Sequence, residues 1–399
     1  MRILFVHEVS WFNKVVFEMH DFPELLSLNG HEVHFLDFDE GEPRAKWRPL
    51  TTIETRAHEG SRVAVTTPPR FLPGILGRLL ATIIQPLVFV QLIKRIKPDV
   101  VVTYSIPTSG WQIVKICKAK DIPVVARVID IPHALRETRF KPLVKWAERY
   151  VFRNASFIST HNEALRQYCL GLGASPTKSS VIFPGVDLER FYPAAPRVDL
   201  QVQLGIKPND KVLVFMGTVF RFSGLFELLP ELAPALHENS ALKFLILGDG
   251  EDFNRLQQLS NTHGLHSQVI MPGRIEYDSL ADHIRLGHVA LLPFRPEPIT
   301  HGALPNKVLQ YLACGVPTVA TPLDGLVSMA GTESGVTYSR TPHQMSIDAV
   351  RLMSEPATIE SMRRSGLNLI RRNCAWGRQM NQFEGAINTL LKNLEKRNQ

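Results

Sequence analysis

Apolar residues fall in short β-branched runs separated by longer stretches of helical period. RILFV (2–6) opens the series as a strand, residues 11–29 are mostly helical and stop at Asn29-Gly30, and HEVHFLDF (31–38) is a second strand. Residues 72–96 form a long apolar helix with breaks at Pro73 and Pro86. DVVVTY (99–104) and IPVVARV (122–128) are strands, 141–152 a helix, ASFIST (155–160) a strand and 161–170 a helix, and SVIFPGV (180–186) closes this half. Residues 193–210 hold Pro193, Pro196 and Pro208 with little periodicity and read as a linker. The pattern then restarts. KVLVFMG (211–217), LKFLILG (242–248), VIMPG (269–273), VALLPF (289–294) and VPTVAT (316–321) are strands, with helices at 224–238, 252–262, 276–287 and 305–314 between them. Two rounds of βαβ alternation predict an α/β protein of two doubly wound parallel sheets. Ligands of such folds gather at the carboxyl ends of the strands, so the expected site is a cleft between two facing domains. The tail, 371–395, carries Trp376, Met380, Phe383, Ile387 and Leu391 at close to helical spacing, an apolar stripe that suits either domain.

Composition narrows the class. A chain of 399 residues exceeds one ordinary core. Cys117, Cys169, Cys314 and Cys374 are scattered with no CxxC pair, which fits a reducing compartment and argues against a disulfide scaffold or a zinc site. The N-terminus reads as a strand, with no cleavage site of small residues. Residues 79–93 are uncharged but broken at Gln85-Pro86, and they fall short of the about 20 apolar residues of a membrane span. The formal net charge is +7, yet residues 70–153 hold 15 Lys and Arg against 5 Asp and Glu. That asymmetry suits an anionic partner or a set of solvated helix faces. No basic-aromatic module for nucleic acid is present.

Chemistry concentrates in PNKVLQYLACG (305–315). Pro305 suits a first helical turn and Gly315 a stop. Lys307 in that first turn opposes the helix dipole, which already places roughly half a positive charge there. A cation so placed is explained by a bound anion, or by a lysine pointing to solvent. MGTVFRFSGLFELL (216–229) runs from strand to helix with Gly217, Arg221 and Gly224, a form that can cradle phosphate. It is neither a Walker motif nor GxGxxG. LGDGEDF (247–253) ends a strand in Gly248-Asp249-Gly250, read either as a turn with Asp249 capping a helix or as backbone close to a ligand. Asp37-Phe38-Asp39 matches a DxD metal motif, but its place after the second strand is read as a surface turn that matches by chance.

Taken in order, GVDLERFYP (185–193), MGTVFRFSGLFELL, LGDGE, MPGRIEYDSLADHIRLGHVALLPF and LPNKVLQYLACGVPTVAT resemble family-4 glycosyltransferases of the GT-B fold, as do the opening strand and LNGHEVHFLDF. The resemblance covers nearly the whole chain. It implies a Rossmann-like acceptor domain over 1–195, a Rossmann-like nucleotide-sugar domain over 196–372, and a helix over 373–399 that crosses back to the N-terminal domain. It implies retaining hexosyl transfer from a UDP- or GDP-sugar, with no cofactor and no metal. The donor residues it implies are Gly217, Thr218, Arg221, Ser223 and Gly224 in the first loop. To these it adds Gly248, Asp249 and Gly250, then Arg274 and Ile275, then Pro305, Asn306, Lys307 and Gln310. Many relatives have an Arg and a Lys where Thr218 and Ser223 stand, and a pair of Glu where Gly302 and Gln310 stand. Arg221 and Lys307 are therefore expected to carry more of the diphosphate's charge.

On the acceptor side, ARVIDIPHALRETRF (126–140) offers Asp130 and His133 as catalytic candidates beside Lys307. Asp130 reads equally as a cap, and His133 as a half-exposed loop residue. HEVSWFN (7–13) replaces a glycine pair of the relatives, and His7 or Asn13 is its candidate phosphate contact. Lys141, Lys145 and Arg149 recur every fourth residue beside Trp146, either as a solvated stripe balanced by Glu148 or, with 72–96, as a surface for an anionic membrane. The sequence thus points to a cytoplasmic enzyme, peripheral on the inner face of the membrane, with a glycan or lipid-linked acceptor in envelope or polysaccharide synthesis. The rival readings are a GT-B epimerase of nucleotide sugars and a catalytically weak nucleotide-sugar-binding protein. The uncharged Thr218, Ser223 and Gln310 favour the second of these.

Overall fold

The computed structural model describes residues 1–14, 16–38, 50–104, 108–131, 133, 141–297, 300, 302–332 and 334–398. Its contacts divide the chain into two units, Met1–Phe183 with Gly377–Gln399, and Pro184–Trp376.

In the first unit the strands are β1 (Arg2–Val6), β2 (Glu32–Leu36), β3 (Leu50–Glu54), β4 (Val63–Thr67), β5 (Val100–Tyr104), β6 (Val124–Val128), β7 (Phe157–Thr160) and β8 (Ser179–Val181). Among the described residues they make an eight-stranded sheet in the order β3-β4-β2-β1-β5-β6-β7-β8. Neighbours are parallel except β3 against β4. The helices are α1 (Glu18–Leu28), α2 (Gly74–Ile96), α3 (Gly110–Lys118), α4 (Lys141–Asn154) and α5 (Glu163–Gly171). The central strand is buried on both faces, which is why RILFV is apolar without alternation. One face is closed by Val88, Phe89, Leu92, Ile93 and Ile96 of α2, Ile113, Val114 and Cys117 of α3, and Val151 and Phe152 of α4.

The second unit has β9 (Lys211–Met216), β10 (Leu242–Leu247), β11 (Val269–Gly273), β12 (Val289–Leu292), β13 (Thr318–Ala320) and β14 (Val336–Tyr338), in the order β11-β10-β9-β12-β13-β14, all parallel. Its helices are α6 (Val198–Gln203), α7 (Leu225–Glu238), α8 (Phe253–Thr262), α9 (Tyr277–Ile284), α10 (Asn306–Ala313), α11 (Asp324–Ala330), α12 (Pro342–Leu352) and α13 (Pro356–Asn373). The last helix, α14 (Trp376–Asn398), clusters from Gly377 onward with the first unit. There Phe383 meets Phe22 edge-on at 5.0 Å, and Asn29 Nδ2 donates to Glu384 Oε1 at 2.8 Å.

The structure corrects several expectations. Residues 11–14, 16 and 17 are not helical. Trp11 is buried with its backbone N–H donating to the Asp37 carboxylate at 3.1 Å, and the Arg56 guanidinium takes up the carbonyls of Trp11, Phe12 and Lys14. Asp37 is therefore interior rather than part of a surface turn, and Asp39 lies outside the described residues. Strands β3, β4 and β14 and helices α3, α11, α12 and α13 are not among the elements expected from the sequence. The 193–210 segment holds the short helix α6. The 371–395 stripe is broken at Cys374-Ala375, where Ala375 bridges Val186.

The break between units falls at Phe183/Pro184, ahead of the expected 195, because GVDLERFYP is bound into the second unit. Val186 N–H donates to the Cys374 carbonyl at 2.7 Å. Arg190 lies over the Tyr277 ring at 4.4 Å and reaches Asp278 at 2.6 Å. The Arg285 guanidinium takes up the carbonyls of Arg190 and Tyr192.

Candidate active site

In the second unit the loops at the carboxyl ends of three adjacent strands lie on one another. Gly217 N–H donates to the Leu247 carbonyl at 2.8 Å, Val219 N–H to the Asp249 carbonyl at 2.8 Å, and Gly248 N–H to the Gly273 carbonyl at 2.8 Å. Space is so tight that a Cβ on Gly248 would fall 2.3 Å from the Gly217 oxygen, and one on Gly250 would fall 2.5 Å from the Val219 oxygen. Gly224 (φ +71°) is held likewise, since a Cβ there would sit 1.7 Å from the Pro293 oxygen. The Asp249 side chain is exposed and does not cap α8, whose N-cap is Asp252.

Helix α10 brings Lys307 to this glycine surface. A Cβ on Gly217 (φ +134°) would meet Lys307 Nζ at 2.2 Å, so only glycine admits the ammonium here. The Nζ stands 4.7 Å from the centre of the Phe215 ring and 4.6 Å from that of Phe294. Among the described residues no carboxylate or hydrogen-bond acceptor answers it. Burial alone draws its pKa from the usual 10.5 down to about 7. The helix starts at Asn306, with Pro305 as an extended N-cap rather than in the first turn, and no side chain caps it. The first-turn N–H groups of Asn306 and Lys307 have no intrahelical acceptor. Gly315 (φ +75°) ends the helix as expected. Tyr311 fixes the helix against the loop, accepting from Met216 N–H at 2.6 Å and donating to the Met216 carbonyl at 3.3 Å. Gln310 lies one turn beyond Lys307, half-buried, with no side-chain hydrogen bond among the described residues.

The remaining donor candidates divide by burial. Thr218, Arg221 and Arg274 are exposed, and Ile275 and Gly302 are half-buried. Ser223 is fully buried and its hydroxyl has no partner among the described residues, so it points into the fold and not toward solvent. Phe215 and Phe294 were not singled out in the sequence, where they read as strand residues.

The first unit gathers a different set at the ends of its strands. Glu18, buried at the start of α1, binds Arg127 through both oxygens at 2.7 and 2.9 Å and His161 Nε2 at 2.5 Å. Arg127 also donates to Ser159 Oγ and the Ile182 carbonyl, both at 2.7 Å, and lies 4.9 Å over the Phe22 ring. Burial raises the Glu18 pKa, but Arg127 and His161 overcome it and hold the carboxyl at about 2. Asp130 has no side-chain hydrogen bond among the described residues. Its pKa is raised, by burial first and by the Glu18 charge, with His161 opposing. No sequence signal marked Glu18 or His161, because an acid at a helix start is ordinary.

His133 is committed elsewhere. Its N–H donates to Glu148 Oε1 at 2.9 Å, and its ring meets Glu148 Oε2 at 3.1 Å and the Tyr168 hydroxyl at 3.0 Å. Glu148 is therefore buried and does not balance the surface stripe. His7 stacks on Tyr104 at 4.7 Å and its Nδ1 accepts from Glu8 N–H at 2.8 Å. Burial pulls its pKa down to about 3, so it is neutral and can meet a phosphate only as an N–H donor. Asn13 is exposed. Among the described residues no group of three or more His, Cys, Asp or Glu is placed to hold a metal ion.

Comparison with known proteins agrees over both units. The model of the family "Glycosyltransferase Family 4" matches residues 20–190, and that of "Glycosyl transferases group 1" matches 210–355. A D-inositol 3-phosphate glycosyltransferase of Catenulispora acidiphila is 29% identical over 206 residues, 49% of this chain and 48% of its own. The UDP-Gal:alpha-D-GlcNAc-diphosphoundecaprenol alpha-1,3-galactosyltransferase of Escherichia coli is 28% identical over 246 residues, 59% of this chain and 60% of its own. The chain spans about half the length of the curated relatives it matches. Among solved structures, the sucrose-phosphate synthase of Thermosynechococcus elongatus superposes with TM-score 0.78 at 15% identity, over 98% of this chain and 99% of its own. Anabaena HepE in complex with UDP-glucose gives 0.69 at 15% identity, over 100% and 99%. Both units thus have the GT-B architecture of parallel α/β domains, and the chain belongs to the family-4, group-1 glycosyltransferases.

Proposed function

We propose that the protein transfers a hexose, with retention of anomeric configuration, from a UDP- or GDP-sugar to a glycan or lipid-linked acceptor in envelope or polysaccharide synthesis. One observation carries the donor half of this reading. Lys307 is a lysine held against two aromatic faces and a glycine backbone, with no anion beside it among the described residues. That environment costs free energy when empty and is relieved by a bound diphosphate. Cleaving the sugar–phosphate bond leaves an added negative charge on the diphosphate. Lys307 and the open N–H groups at the start of α10 are fixed before the reaction and can stabilise the leaving group. Gln310, one turn further along, offers both donor and acceptor to a ribose hydroxyl. In the first unit, burial first and the Glu18 charge raise the Asp130 pKa above the usual carboxylate range, which suits a group that takes part in proton transfer. His133 supports the fold around α4 and α5. The lipid-linked acceptor draws support from the Escherichia coli relative, whose name specifies a diphosphoundecaprenol-linked sugar.

The test is incubation with labelled UDP- and GDP-sugars and a panel of glycan and lipid-linked acceptors. Transfer, or slow release of free sugar with retained configuration, is expected. Epimerisation without nucleotide release would instead make it an epimerase. Tight binding with no turnover across the panel would make it a binding protein.

A further inference from the structure

Helix α2 carries two apolar faces. Val88, Phe89, Leu92, Ile93 and Ile96 are built into the core of the first unit. Leu76, Leu79, Ile83 and Leu87 recur every three or four residues and are 65, 53, 60 and 60% exposed. They make a stripe of large hydrophobics on one side of the helix with nothing covering it among the described residues. Helices α2, α3 and α4 line one face of the sheet, and α4 extends the apolar surface with Leu143 and Trp146, 60 and 47% exposed. Trp146 meets Trp111 of α3 edge-on at 5.3 Å.

Charge on the same helices has one sign. Lys94 and Arg95 on α2, Lys115 and Lys118 on α3, and Lys141, Lys145 and Arg149 on α4 are all exposed. The one carboxylate these helices carry among the described residues, Glu148, is buried against His133 and Tyr168.

We propose that this face docks the first unit on an anionic bilayer, with the exposed stripe of α2 and Trp146 entering the headgroup boundary and the lysines and arginines meeting lipid phosphates. Exposed apolar side chains on helices whose exposed charges are all cationic among the described residues complement an anionic, amphipathic surface, whereas a soluble protein partner would be expected to meet mixed charge. Residues 76–96 are long and apolar enough to cross a membrane. The C-terminal half of α2 is committed to the core, however, so the helix lies along the surface rather than through it. The inference does not depend on sugar transfer, but it would bring a lipid-linked acceptor to the protein.

The experiment is co-sedimentation of the full chain with vesicles of phosphatidylglycerol and phosphatidylethanolamine, against vesicles of phosphatidylcholine alone. The expected result is binding to the anionic vesicles, weakened by added salt. Leu79→Gln with Ile83→Gln should lower the partition coefficient about a hundredfold, from two exposed aliphatic side chains withdrawn from lipid. Lys141→Gln with Lys145→Gln should lower it about thirtyfold on anionic vesicles. All four positions are solvent-exposed, and unchanged melting and UDP binding would show that the variants remain folded. No binding to anionic vesicles, or binding that ignores these substitutions, would overturn the proposal. So would sedimentation velocity showing that Leu79→Gln with Ile83→Gln converts a dimer to a monomer.

Discussion

Replacing Lys307 by Met tests the site at its centre. In the empty protein, a pKa drawn from 10.5 to about 7 corresponds to roughly 5 kcal/mol held against the ammonium, at about 1.4 kcal/mol per pH unit. The side chain is not wholly enclosed, which reduces this to a few kcal/mol. The sign follows from proton counts. The unfolded chain keeps this proton up to pH 10.5 while the folded chain gives it up near 7, so the penalty is full below 7 and vanishes as pH rises toward 10.5. Lys307→Met should therefore melt higher than the wild type at pH 6 to 7, with the gap closing in alkali.

Binding should move the other way. A charge-assisted contact to diphosphate is worth about 2–3 kcal/mol, so Kd for UDP should rise about 30- to 150-fold while Kd for uridine stays within about twofold. Calorimetry at pH 8 in two buffers of different ionisation enthalpy reads the proton directly. Wild type should take up close to one proton per UDP and the variant close to none. Equal loss of UDP and uridine affinity, or no proton uptake by the wild type, would refute the reasoning.

Three further outcomes are expected. Gly217→Ala forces a Cβ against Lys307 Nζ at φ +134° and should cost about 2–3 kcal/mol in denaturant melts, together with most UDP affinity. Glu18→Gln strands Arg127 and His161 in the interior and should cost about 3–5 kcal/mol at pH 7. Because the Glu18 pKa is held at about 2 against an ordinary 4.5, its contribution is full above 4.5 and is lost as pH falls through 2, so wild type and variant should converge in acid melts. Tyr168→Phe should lower stability by about 1–2 kcal/mol through the His133–Glu148 contacts while leaving UDP affinity unchanged by calorimetry.

What the sequence disclosed follows from where each signal resides. The parallel strands were legible because burial on both faces demands unbroken runs such as VVVTY and KVLVFM. Strands β3 and β4 were not, because LTTIE and VAVTT mix threonine with apolar residues and β3 is an edge with Ile53 in solvent. Lys307 was legible as a charge on the wrong end of a helix. Its aromatic walls were not, because Phe215 and Phe294 become neighbours only when β9 and β12 pair. Ser223 looked like a polar loop residue, and only packing shows it facing inward. The interior acids Glu18 and Glu148 were hidden for a similar reason: their partners come from distant segments, and sequence spacing does not record them.

The most direct measurement is a crystal structure of the protein soaked with UDP. The account predicts β-phosphate oxygens within hydrogen-bond distance of Lys307 Nζ and of the first-turn N–H groups of α10, with no metal ion between. A diphosphate lodged away from Lys307, or bridged to the protein through a metal, would contradict it.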